Sequence, residues 1–116
     1  MSSGFELVNE KNQLERELSA SIKSLVKYGR EFAQAEADYK ICLAETALRL
    51  KSEGMAVTMI QMVIYGTAEV PKLRFKRDTA EVMYKAAQEN IQSTKLKLRL
   101  IEAQIEREWT QTNRSV

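Results

Sequence analysis

The chain has 116 residues, enough for one domain, with one proline and four glycines among abundant Leu, Ala, Glu, Lys, Arg and Gln, so an all-α fold is expected. Eighteen basic and sixteen acidic residues leave a net charge of +2, too balanced to demand a polyanionic partner. The absence of histidine removes the commonest general base and metal ligand, and a lone cysteine, Cys42, excludes an internal disulfide or a cysteine metal cluster.

Helix 1 is expected over residues 5–53. Ser3 is placed to cap it, with Glu6 completing a capping box. Its apolar stripe reads Leu7, Leu14, Leu18, Ile22, Leu25, Tyr28, Phe32, Tyr39, Leu43, Ala47 and Leu50. Steps of three, four or seven residues put them all on one face. Gly29 and Glu36 fall within the stripe. Gly54 stops the helix, as glycine does just past a C-terminus.

Residues 55–65 are apolar on most sides and predict a short buried helix, with Gly66 as its stop. An isolated strand there would lack a partner. Helix 3 is expected over residues 68–110, because Pro71 suits a first helical turn. Heptad spacing holds for Leu73, Ala80, Ala87, Thr94 and Ile101, and again for Arg77, Tyr84, Ile91, Leu98 and Ile105. Met83 and Trp109 extend the apolar face, and the polar tail 110–116 is expected to fray. No apolar run approaches the ~20 residues of a membrane span. The N-terminus does not read as a secretory signal. A cytoplasmic protein without membrane contact, metal or small-molecule cofactor is expected.

Together the stripes predict a long antiparallel helical hairpin, with the short third helix packed at the bend. Pairing Leu50 with Leu73 sets Phe32 opposite Ile91 and Leu14 opposite Trp109. A second apolar face near the bend, Ala33, Ala37, Ile41, Ala44 and Leu48 with Phe75, Val82 and Ala86, is expected to receive the short helix. In the far half Val8, Val26, Leu96 and Leu100 stay uncovered. A pair of helices burying one seam is hard to stabilise alone, so these four are the expected oligomer interface. Isolated surface apolar residues are the plainer reading.

Catalytic arrangements are nearly absent. Glu6 with Glu10 and Glu102 with Glu106 share helix faces, but without histidines they read as solvated charge. No glycine-rich phosphate loop occurs. Residues 70–100 carry eight basic and three acidic side chains, a local +5. Lys51, Lys72, Arg74, Lys76 and Arg77 therefore form the candidate nucleic-acid-binding set, although a solvated helix face describes most such runs. Residues 47–60 with Val70 and Arg74 also look like a recombinase-type helix-turn-helix. They depart from it in the great length of the would-be recognition helix and in Pro71 at its start.

The segments Tyr28-Gly29-Arg30-Glu31-Phe32-Ala33, Ser52-Glu53-Gly54-Met55-Ala56-Val57-Thr58, Leu73-Arg74-Phe75-Lys76-Arg77-Asp78 and Ile105-Glu106-Arg107-Glu108-Trp109 are similar to those of small helical early-region proteins of unknown function from Firmicutes phages and prophages. The resemblance spans roughly residues 25–110 and implies a mobile-element setting. It carries no catalytic or ligand motif. The leading expectation is a non-enzymatic interaction protein that self-associates and binds a host or phage protein, for instance a host defence or replication factor. The alternative is a nucleic-acid-binding accessory protein using the basic set at the bend.

Overall fold

The computed structural model describes residues 4–114, and the fold is all-α. In chain order it comprises α1 (Gly4–Ser52), α2 (Val57–Val63), a single 3-10 turn (Ile64–Gly66) and α3 (Val70–Arg114). The expected Ser3 cap lies outside the described residues. Pro71 is the second residue of α3, where its missing N–H breaks no helical hydrogen bond. Helix α3 continues through 110–114 to Arg114, although the polar composition there predicts fraying.

The end of α1 follows from Gly54. Its φ of 92° is the left-handed conformation glycine adopts without a Cβ penalty. The Met55 N–H donates to the Leu50 carbonyl at 3.1 Å and the Gly54 N–H to the Lys51 carbonyl at 3.0 Å. This is a Schellman closure, and Met55 completes it by packing into the core cluster that contains Leu50.

The chain divides into two compact units, Met1–Val26 with Ala86–Val116, and Lys27–Lys85. In the first unit Leu7, Ala87, Ile91, Thr94 and Leu98 are buried. Leu14, Leu18, Ser21 and Leu25 are half-buried. The Asn90 amide donates to Ser21 Oγ at 2.8 Å, and Thr94 Oγ1 donates back to the Asn90 carbonyl at 2.9 Å.

The second unit has the denser core: Tyr39, Leu50, Ile60, Ile64 and Val70, with Leu43, Ala47, Met55 and Leu73 packed around them. Val70 is 0% exposed. Further along, Tyr84 approaches Gly29 so closely that a Cβ there would lie 3.1 Å from its ring. The Phe32 and Tyr84 ring centroids are 6.0 Å apart.

Three expectations are corrected. First, the register differs. Phe32 meets Tyr84 rather than Ile91, one heptad earlier. In the other unit Leu14 shares a groove with Leu100 and Ile101, whereas Trp109 lies with Gly4 and Val8. A pattern repeating every seven residues is satisfied equally by a partner seven residues away, so periodicity alone leaves this shift open. Second, the short helix does not receive the second apolar face. Ile41, Leu48, Phe75 and Val82 are 56, 68, 73 and 65% exposed, because α2 packs on the Leu43–Ala47–Leu50 side instead. Third, the segment expected to be buried exposes most of itself. Of α2 only Ile60 is buried, whereas Met62 is 78% exposed.

The α1 seam is also shifted by one position in places. Ser21 is half-buried where Ile22 was expected, and Ile22 is exposed. Ala35, Cys42 and Thr46 join the α1 seam, and on α3 the expected seam residues Met83 and Trp109 are exposed.

Candidate interaction surface

The most developed concavity in the second unit is an apolar groove of about 520 Å³. One wall is the end of α1. Lys40, Ala44, Leu48 and Lys51 follow one another at four- and three-residue steps and so share a face, with Ala47 beside them. Val57, Ile60, Gln61, Ile64 and Tyr65 form the other wall. The Gly54 closure reverses the chain between the two walls, and Ile60 and Ile64 anchor the second wall in the core. Leu48, Val57 and Tyr65 are exposed on the groove's rim. Its lining includes two lysines and no carboxylate. The Arg74 guanidinium lies 5.7 Å from the Tyr65 ring centroid and adds a third cation next to it.

A second groove in this unit, of about 460 Å³, runs past Ala35, Phe75, Ala80 and Met83, with Glu31, Asp38 and Lys76 on its margins.

The five basic candidates stand in different settings, with Lys51 and Arg74 beside the same groove. Arg77 occupies a seam position over the Tyr39 ring, 4.5 Å from its centroid, and donates to Asp78 Oδ1 at 3.0 and 2.7 Å. Hydrogen bonding to Asp78 raises its pKa above the usual arginine value despite desolvation, with the Asp78, Tyr39 and Glu36 charges adding to the rise. Lys72 pairs with Glu69 at 3.8 Å, and Arg74 stacks near Tyr65. Lys51 and Lys76 line different grooves. Glu36, singled out as a charge within the stripe, pairs with Lys40 at 3.7 Å.

In the first unit the four interface candidates Val8, Val26, Leu96 and Leu100 are all exposed. Leu100 borders a groove of about 410 Å³ with Leu14 and Ile101, rimmed by Glu10 and Lys97. Val8 shares a separate groove with Ile105 and the exposed Trp109. Val8 and Val26, eighteen residues apart on α1, are five turns apart and so lie on one side of the helix.

Among the described residues no group of His, Cys, Asp and Glu is placed to hold a metal ion. Cys42 is half-buried with its Sγ 3.9 Å from Thr46 Oγ1. No described helix is long and apolar enough to cross a membrane. No known protein family, curated protein or solved structure matches the chain.

The groove between α1 and α2 is absent from the expectations above. Its signal is nonetheless present in Lys40, Ala44, Ala47, Leu48 and Lys51, whose spacing marks a basic-ended apolar face. Assigning that face to intramolecular packing with α2 hid it.

Proposed function

We propose that this is a non-enzymatic helical interaction protein that binds another protein through its second unit and self-associates through its first. The observation that carries this reading is α2. A short helix that is apolar on most sides is ordinarily buried. Here Val57, Met59 and Met62 face outward beside an open apolar groove. Methionine and aromatic side chains are enriched in protein interfaces, where the pliable thioether fits varied contours. Exposed Val8, Val26, Leu96 and Leu100 support self-association.

This reading takes α1 and α3 as the arms of one antiparallel hairpin. Its support is that contacts in each unit pair rising positions in α1 with falling positions in α3. Gly4 lies near Glu108 and Ser21 bonds Asn90 in one; Gly29 abuts Tyr84 and Tyr39 underlies Arg77 in the other. A phage or prophage origin, with a host or phage protein as partner in the host cytoplasm, belongs to the same proposal and rests on the resemblance given above. The nucleic-acid alternative has less support, since Arg77 is held over Tyr39 and bonded to Asp78, and Lys76 lines a different groove from Lys51.

Affinity capture from host lysate, with and without nuclease, tests the class of function. A protein retained after nuclease, and lost from the Met62→Glu variant, supports the proposal. Retention that disappears with nuclease and falls steeply with salt favours phosphate contacts instead. For self-association, Leu100→Glu is expected to shift the mass in light scattering toward monomer and lower the melting temperature; an unchanged mass argues against this interface.

A further inference from the structure

The lining of the α1–α2 groove specifies the chemistry of its occupant. We infer that it accepts an amphipathic helix of the partner whose apolar face is flanked by carboxylates about three turns apart. This deepens the proposed function and rests on it.

Lys40 and Lys51 are eleven residues apart on one continuous helix. Eleven residues are close to three full turns, about 16 Å, so both ammonium groups stand on one side of α1. Between them the wall is Ala44, Ala47 and Leu48, and the facing wall is Val57, Ile60 and Tyr65. The groove is thus an apolar trough with a cation at each end of one wall. Lys40 already contacts Glu36 at 3.7 Å, but with 71% of its side chain exposed it can turn to an incoming carboxylate. A helix laid along α1 repeats its face at the same interval, so carboxylates eleven residues apart on it stand level with both lysines. The small Ala44 and Ala47 let such a helix approach closely, and Leu48, Val57 and Tyr65 surround the contact. Charge opposition adds orientation and selectivity to an affinity that comes from the apolar surface.

The test uses two designed helical peptides of about 20 residues with the same apolar face. One carries glutamates at two flanking positions eleven residues apart, and the other carries lysines there. Binding to the full chain is read by fluorescence anisotropy. The glutamate peptide is expected to bind at least about tenfold more tightly than the lysine peptide. The double variant Lys40→Glu with Lys51→Glu is expected to reverse that order, which a merely unfolded groove would not do. Leu48→Glu is expected to abolish binding of both peptides while circular dichroism shows the helices intact. Equal binding of the two peptides, an unchanged preference in the double variant, or binding of neither overturns the inference. Loss of self-association in Leu48→Glu would place a second copy of this chain in the groove and also overturns it. If the peptides fail but lysate capture still depends on Met62, the proposed function stands and only the partner's chemistry is wrong. If neither capture nor peptide binding occurs, both fail.

Discussion

The two units use the same pair of helices and solve the same packing problem differently. In Met1–Val26 with Ala86–Val116, two helices bury a single seam whose members include Leu7, Ile91, Thr94 and Leu98. In Lys27–Lys85, a third element docks Ile60 and Ile64 against Leu50, Tyr39 and Val70 and makes a cluster around one fully buried residue. The added helix enlarges the core but brings its own apolar surface, since Met59 and Met62 stay 47 and 78% exposed. Core packing and exposed apolar surface therefore come from the same short stretch, α2 and the 3-10 turn that follows it.

This contrast is open to measurement. Ile64→Ala removes a buried side chain from the three-element cluster and should cost about 3–4 kcal/mol. Leu98→Ala in the two-helix unit should cost less, about 2 kcal/mol, because a thin seam can collapse or admit water around the deletion. Urea titrations of both variants, followed by far-ultraviolet circular dichroism, would show the order. Equal losses, or a larger one for Leu98→Ala, would break the comparison.

A smaller effect is expected where the chain turns into the third element. Gly54 sits at φ 92° with open space around its Cα, so alanine meets no clash and is opposed by backbone strain alone. Gly54→Ala should cost about 1–2 kcal/mol. Because the turn sets the position of α2 on α1, it should also weaken the peptide binding proposed for the groove. A midpoint unchanged in urea would show that another turn geometry closes α1 equally well.

The sequence disclosed the helices and their buried faces better than their partners. Gly54 and Pro71 marked helix limits because each has one local consequence, a left-handed φ or a missing donor. The α3 heptads placed Ala87, Ile91, Thr94 and Leu98 inside, and all four are buried. In α1 the search for large apolar residues missed Ala35 and Thr46, since small seam residues carry little hydrophobic signal. Register was not legible, because Phe32 satisfies the pattern with either Ile91 or Tyr84. Of the groove only the α1 face was legible. Whether Ala44 and Leu48 meet α2 or solvent depends on how the chain leaves Gly54, and periodicity does not report that.

Gly29 is the finest probe of close packing in the second unit. Its place in a helix costs roughly 1 kcal/mol relative to alanine, so Gly29→Ala gains helix propensity. The new methyl would meet Tyr84 Cε1 at 3.1 Å, tighter than ordinary contact. The Tyr84 ring is only half-buried and stacks obliquely on Phe32, so it can yield by a few tenths of an ångström. The two effects should nearly cancel, leaving a change within about 0.5 kcal/mol. Gly29→Leu adds bulk that the ring cannot yield to, and should cost about 1–3 kcal/mol. If alanine instead destabilises as much as leucine, the Tyr84 ring is held rigidly. The glycine is then a packing requirement of the seam rather than a tolerated weakness of the helix.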